Sequence, residues 1–451
     1  MNEKQLEAVK SLNNTLVIAG AGSGKTFTII NKINYLIDNK YYKEDEILVI
    51  SFTNESVNDI KKKIKYNVDI KTFHKLGLEI LKNENIHIAP FNLLNFIIDE
   101  YFNSYGKDNK KINKRIKRIL IESSTVELKT LISTFINLYK ANYTNINYLF
   151  KLYQKSHFIN KDYLRIILEI YHIYQTELES AGYIDFNDMI INATKNIKEN
   201  KAKIKYKIII IDEFQDTSLI RFNLIDAILK QNNGILFAVG DDYQSIYRFS
   251  GCNLDIFLSL KNYIPDLKII NLDCNYRNNQ TLINIANNFI MKNKKQIKKN
   301  TICFKDESKP IKIYYYKNKS VALKRLIDTI DGNITILGRN NNDKKVFNVQ
   351  ENERIKYLTI HSSKGLEDDN IILINLENKV TSLPTKIRNH KILDLIIEKD
   401  KYPFEEERRL FYVALTRTKN SIYLLIPYSN YSTFVKEIIK DYKKYLEIHK
   451  Y

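Results

Sequence analysis

The chain has 451 residues, 44% of them apolar, with only 12 glycines and 6 prolines, which supplies packed cores and argues against long disordered stretches. A formal charge of +19 points to a polyanionic partner, because Lys and Arg that neutralise phosphates release condensed counterions, although many lysines in so Lys- and Asn-rich a chain are solvated surface. Cys252, Cys274 and Cys303 lie far apart, with no CxxC pair and no Cys/His cluster of zinc spacing, so neither a disulfide framework nor a zinc site is expected.

This length predicts two to four domains. The polar start, Met1 to Gln5, runs directly into a helical pattern and predicts no signal peptide. No apolar run approaches a membrane span, so an intracellular, soluble protein without membrane contact is expected.

In chain order, the first strand reads at 15–18 and leads into Ala19-Gly20-Ala21-Gly22-Ser23-Gly24-Lys25-Thr26. An amphipathic helix follows, with Ile29, Ile30, Ile33, Leu36 and Ile37 on one face. Small residues between strand and helix let backbone N–H groups wrap phosphate oxygens. Lys25 then reaches the β and γ phosphates, and the Thr26 hydroxyl ligands Mg²⁺. Ala19 replaces the usual first glycine of this phosphate loop.

Ile47 to Ile50 predicts the next strand, and residues 82–184 show helical periodicity with almost no strand-like runs. Ile208 to Ile211 predicts a strand ending in Asp212-Glu213-Phe214-Gln215-Asp216. Beside a phosphate loop, Asp212 suits Mg²⁺ held through water, and Glu213 suits a base that orients and deprotonates the attacking water. Ile235 to Val239 predicts another strand, ending before Gln244, a neutral side chain suited to sensing the γ-phosphate. A second group follows at Ile311 to Tyr316, Ile334 to Leu337, Ile371 to Ile374 and Ile422 to Ile426. Apolar runs without polar alternation suit strands buried on both faces, so the fold class expected is α/β, with two parallel-sheet domains and a helical insertion in the first. Residues 292–300 and 340–345 read as exposed Asn- and Lys-rich connections.

The order of these pieces resembles the UvrD/Rep family of superfamily 1 helicases. Asn2 to Val9 (NEKQLEAV) resembles its N-terminal glutamine motif, and Ser51 to Ile64, Thr72-Phe73-His74 and Asp185 to Asp188 resemble the next motifs. Asp212 to Ser218 (DEFQDTS) and Gly240 to Gly251 (GDDYQSIYRFSG) are specific to that family among phosphate-loop proteins. Asn275-Tyr276-Arg277, His361 to Glu367 (HSSKGLE) and Glu405 to Thr418 (EEERRLFYVALTRT) resemble the last three, so the likeness spans residues 2 to about 426.

That resemblance implies two RecA-like domains with ATP and Mg²⁺ between them. It implies Gln5 as adenine reader, Tyr276 stacked on adenine, Glu367 on the ribose, and Arg277 and Arg417 as arginine fingers. It implies contacts to single-stranded DNA from Phe52, Thr53, His74, Phe249 and His361. It implies a 3′-to-5′ helicase or translocase acting on single strands and single/double-strand junctions; no base-reading feature separates DNA from RNA. The expected domains are 1–81 with 185–270, the insertion 82–184, and 271–451.

The chain departs from the family in three ways. Phe27 stands where many relatives carry a basic residue, and Phe249 where they often stack a Trp. Only about 18 residues separate Arg339 from Leu358, where relatives insert a large accessory subdomain. A minimal motor, or one that needs a protein partner in place of that subdomain, is therefore expected. The short stretch after 426 predicts no fused nuclease domain. The alternatives are a DNA-stimulated ATPase switch and a catalytically silent DNA-binding subunit of a larger repair, replication or defence assembly. Retention of Lys25, Thr26, Asp212, Glu213, Gln244, Arg277 and Arg417 disfavours the silent subunit.

Overall fold

The computed structural model of the chain describes residues 1–450 apart from 85, 108–124, 144 and 306–308. Two six-stranded sheets, each wholly parallel, organise it. The first runs Asp69–Lys71, Ile47–Ile50, Ile208–Ile211, Ile235–Gly240, Thr15–Ala19, Lys268–Leu272 from edge to edge. The second runs Ile355–Thr359, Ile334–Gly338, Asp368–Leu373, Thr418–Pro427, Ile311–Tyr316, Leu446–Lys450.

The continuous apolar runs explain this burial, because successive side chains of a strand face opposite ways. In the first sheet Ile209, Ile211, Leu236 and Ala238 enter one core, while Ile208, Ile210, Phe237 and Val239 enter the core on the other face. The second sheet repeats the pattern, with Ile311, Ile313, Leu424 and Ile426 on one face and Tyr314, Tyr316, Tyr423 and Leu425 on the other. All eight strands read from sequence are present. The four edge strands, at 69–71, 268–272, 355–359 and 446–450, were not anticipated. Beyond residue 426 the chain adds the helix Thr433–Tyr442 before the last of these edge strands.

Between the helices Phe73–Ile80 and Phe186–Lys198 lie the helices Leu93–Lys107, Thr125–Asn142, Ile146–Lys155 and Phe158–Ser180. A two-residue parallel pairing of His87–Ile88 with Tyr183–Ile184 closes their base. They share an apolar core that includes Ile98, Phe135, Ile167 and Ile170, and also Ile392, Leu393 and Ile396 from the second half. The two segments read as exposed connections are not wholly so. Asn293 and Gln296 are buried, and Asn293 donates to the Glu405 carbonyl and Gln296 to Asp242. Asp343 is buried and accepts from the Asn375 amide and the Asn340 N–H. Their amides and carboxylates satisfy groups inside the fold, a role that composition does not distinguish from solvation. Ile334–Gly338 and Ile355–Thr359 are direct parallel neighbours, joined through the single-turn helix Asp343–Val346.

Lys140, on the helix Thr125–Asn142, anchors the helical segment to the first sheet's surround. It donates to Asp185 at 2.5 Å and Asp188 at 2.7 Å, and lies 5.2 Å from the Tyr174 ring centre. Burial pushes the Asp188 carboxyl up to about 6 despite this cation. Lys140→Met leaves two buried carboxylates without their cation and is expected to cost about 3–5 kcal/mol in urea unfolding. In the variant these carboxyls sit above their unfolded pKa, so the folded state holds more protons and stability falls as pH rises through neutrality. A loss under about 1 kcal/mol, or one that shrinks at higher pH, would contradict this anchoring role.

Candidate functional site

One cleft of about 510 Å³ is lined by both halves: residues 20–27, Asp212, Glu213 and Gln244 from the first, and Tyr276, Arg277, Lys364, Glu367 and Arg417 from the second. Its floor is the loop between the buried strand Thr15–Ala19 and the helix Lys25–Asp38. Gly22 and Gly24 both have positive φ, at 68° and 81°. A Cβ on Gly22 would come within 2.7 Å of Arg277 Cβ, so glycine is needed there for space as well as conformation. Ser23 Oγ donates to the Gly20 carbonyl at 2.8 Å and fixes the loop's curl.

The second half grips this loop directly. Asn275 Nδ2 donates to the Ala21 carbonyl at 2.7 Å and Tyr276 N to the Gly22 carbonyl at 2.8 Å. Gln5 is buried behind the loop, where its amide donates to the Ser23 carbonyl and accepts from Asn2 N, and it is not among the cleft-lining residues. Ala19 ends the buried strand and is likewise behind the cleft. Tyr276 is half exposed and stacked on Phe304 at 5.4 Å, with its hydroxyl accepting from Asn2 Nδ2.

Lys25 pairs with Glu213 at 3.1 Å, and Thr26 lines the cleft beside them. Glu213 adopts φ 50°, a conformation uncommon outside glycine and held here by a Gln215 amide on Oε2 at 2.6 Å. Burial raises its carboxyl, but Lys25 and Lys364 outweigh that and hold it down at about 2. Asp212, buried at the strand end, is pushed up to about 7 by burial and by the Glu213 charge. A buried carboxyl so disfavoured as an anion is one that a divalent cation would stabilise. Among the described residues no cluster of three His, Cys, Asp or Glu could hold a metal. The donors at hand are one carboxylate and the Thr26 hydroxyl, which fits Mg²⁺ that keeps waters and shares substrate phosphates.

Gln244 is the junction across the cleft. Its amide donates to Asp241 at 2.6 Å and its oxygen accepts from Arg417 at 2.9 Å. Arg417 is fully buried and also donates to the Val413 and Leu366 carbonyls. Burial and the nearby Arg277 charge push it down to about 9, so it stays charged at neutral pH. Arg277 pairs with Glu367 at 2.6 Å and donates to the Thr416 carbonyl.

Two groups of side chains went unread in the sequence. Lys364 donates to Asp216 at 2.5 Å and to the Gln244 carbonyl at 2.7 Å, and lies 4.0 Å from Glu213. Its signal was its place as the one lysine of the HSSKGLE segment. Lys299 joins the Asp241 and Asp242 carboxylates, each at 2.5 Å, and sits 3.4 Å over the Tyr243 ring. Nothing local in its Lys-rich surroundings marks it.

The side chains read as strand contacts fall in three places. Phe249 is exposed and meets His361 edge-on at 5.5 Å, beside Tyr247, whose hydroxyl donates to the His361 carbonyl. Phe52 packs edge-on against the buried Phe73 at 5.5 Å, while His74 lies against the exposed Phe186 at 5.1 Å. Thr53 caps the helix Asn54–Lys63 and lines the cleft itself. Burial pushes both histidines down to about 4, so both are neutral at physiological pH.

Two parallel-sheet α/β domains that share one cleft are the arrangement of paired RecA-like domains. Residues 1–265 match the UvrD/REP helicase N-terminal domain, and residues 333–429 match the UvrD-like helicase C-terminal domain. The chain belongs to the UvrD/Rep helicase family. It is 32% identical over 346 residues to the ATP-dependent DNA helicase Rep of Buchnera aphidicola subsp. Schizaphis graminum, covering 73% of this chain and 50% of that protein. It is 26% identical over 487 residues to DNA helicase IV of Escherichia coli, covering 98% of this chain and 70% of that protein. Against the Rep helicase of Escherichia coli it is 31% identical over 309 residues, 65% of this chain and 43% of that protein. The chain thus spans about half the length of the Rep proteins it matches. Among the described residues no helix is long and apolar enough to cross a membrane.

Proposed function

We propose that the chain is an ATP-dependent motor on single-stranded DNA, a 3′-to-5′ helicase or translocase in which hydrolysis is tied to closure of the two RecA-like domains. The observation that carries this reading is the link Asp241–Gln244–Arg417, which runs from the first half to the second beside the phosphate loop. Any change at the phosphates felt by Gln244 is felt at once by the opposite domain.

In this reading the loop 20–24 and Lys25 bind the β and γ phosphates of ATP. A triphosphate competes with Glu213 for Lys25, which frees the Glu213 carboxylate to take a proton from the attacking water. Asp212 and Thr26 hold Mg²⁺, which when bound neutralises phosphate charge. Arg277 and Arg417 come from the far wall to meet the charge that develops on the γ-phosphoryl group. Tyr276 stacks on the base and Glu367, once released by Arg277, faces the ribose. Gln5 acts from behind the loop, through its bond to the Ser23 carbonyl. Phe52, Thr53, His74, Phe249 and His361 serve the strand, with exposed rings stacking on bases of any identity. The proposed division is 1–81 with 185–270, the helical insertion 82–184, and 271–451.

The test is steady-state ATP hydrolysis with and without an oligo-dT strand. Strong stimulation by the strand is expected; binding of the strand without any hydrolysis would overturn the motor reading for the isolated chain. A second reading, a DNA-triggered ATPase that works with a partner, is favoured by the direct pairing of Ile334–Gly338 with Ile355–Thr359, where the family resemblance implies an inserted subdomain. Stimulated hydrolysis without displacement of a paired strand from a 3′-tailed duplex would support it.

A further inference from the structure

We infer that Arg221 is a phosphate-binding residue for the single strand, a contact beyond the family motifs that rests on the DNA reading above. Arg221 lies in the first turn of the helix Leu219–Asn232, which leaves the acidic strand end. Its guanidinium carbon is 5.4 Å from the Phe52 ring centre and 5.7 Å from that of Phe73. Among the described residues it has no hydrogen bond and no ion pair; beside these two ring faces, only the longer-range attraction of Asp216 and Cys252 acts on its charge.

That isolation is unusual within this chain. The comparably enclosed Arg248 takes Asp400 and Glu406, Arg339 takes Glu407, and Arg408 takes Glu437. A partly buried guanidinium is costly unless its charge and its five N–H donors are met. Two aromatic rings offset part of that cost by cation–π attraction, but they accept none of those donors in a hydrogen bond. The side chain is therefore held in shape and left chemically unsatisfied, which is the state of a group built to receive an anion.

The surroundings select the anion. Phe52 belongs to the set of side chains proposed to meet the strand, and His74, on the other side of Phe73 in sequence, stays neutral because of burial and the Arg221 charge. No second cation thus competes for the same oxygen from that histidine. Ser218, the residue before the helix, is buried with a hydroxyl that has no partner among the described residues, and the helix dipole favours negative charge at this end. An aromatic ring beside a planar cation fits a nucleotide unit, with the base toward Phe52 and the phosphodiester toward Arg221. A guanidinium on a phosphate carries no sequence information, as suits a motor.

The test measures equilibrium binding of fluorescent oligo-dT and a mixed-sequence strand across a salt series, for wild type, Arg221→Gln, Arg221→Lys and Lys230→Ala. Lys230 is an exposed residue of the same helix, paired with Asp226, and serves as the control. Arg221→Gln is expected to weaken both strands by the same factor and to flatten the log–log salt slope by about 0.7, the value for one phosphate on a single strand. Arg221→Lys, which keeps the charge, is expected to keep the slope, and Lys230→Ala to match wild type. A slope for Arg221→Gln equal to wild type overturns the assignment alone. Failure of the wild-type chain to bind either strand overturns the DNA reading and the assignment with it.

Discussion

Glu213→Gln is expected to lower strand-stimulated ATP turnover by about 10²–10⁴-fold while leaving the KM for ATP within a few-fold of wild type. The argument is isosteric. Gln215 donates to Glu213 Oε2 at 2.6 Å, a bond the new amide oxygen can still accept, so the local fold and the φ of 50° are retained. What disappears is the anion. Lys25 loses the carboxylate that it holds at 3.1 Å and stays free to bind phosphate, so nucleotide binding is not expected to weaken. The attacking water loses the one carboxylate of the acidic pair that is held ionised, since Asp212 is pushed up by burial and by Glu213 itself. Single-turnover hydrolysis, with binding of a fluorescent nucleotide measured beside it, separates the two effects. A variant that hydrolyses ATP within tenfold of wild type would remove Glu213 from the proposed role of base.

Much of this cleft is legible in the sequence, and the part that is not has a physical reason. The phosphate loop, the acidic pair and Gln244 each follow a strand of four or more unbroken apolar residues, and such strands sit in the interior of both sheets with both faces covered. The edge strands escaped notice because one flank meets solvent. Lys268–Leu272 buries only Ile270 and Leu272, and Leu446–Lys450 only Leu446, so neither shows an apolar run.

The same blindness extends to polar residues that do core work. Lys299 and Gln296 read as solvated because their neighbours are Lys and Asn. They are enclosed because Asp241 and Asp242, whose side chains are wholly buried, need donors there. Ile392, Leu393 and Ile396 posed a different problem. They belong in sequence to the second half yet complete the apolar core of the helices inserted in the first. No local pattern announces a long-range partner. Arg221 escaped for the opposite reason, since what distinguishes it is that, among the described residues, its N–H donors meet no hydrogen-bond or ion-pair partner.

Arg417→Lys is the substitution expected to do most damage, about 10³-fold or more in kcat, even though it preserves charge. Arg417 is fully buried and uses the separate edges of its guanidinium at once: Nη2 on Gln244, Nη1 on the Leu366 carbonyl and Nε on the Val413 carbonyl. An ammonium on a straight chain cannot span three acceptors in one plane, so at least two lose their donor and the link to Gln244 goes slack. Such a loss also lowers stability, and thermal unfolding of the variant without nucleotide measures that part. The remaining part belongs to the transition state. Burial and Arg277 already push the Arg417 charge down to about 9, so the two cations repel each other across a low-dielectric wall. An anion arriving between them relieves that repulsion, and it relieves it most when negative charge is greatest, as the γ-phosphoryl group leaves. The expected signature is therefore a collapse of kcat in single-turnover hydrolysis with a much smaller change in the KM for ATP. A folded Arg417→Lys that turns over within tenfold of wild type, or whose defect lies wholly in ATP affinity, would return Arg417 to a structural role and leave Arg277 as the one arginine of the two proposed to act on the reaction.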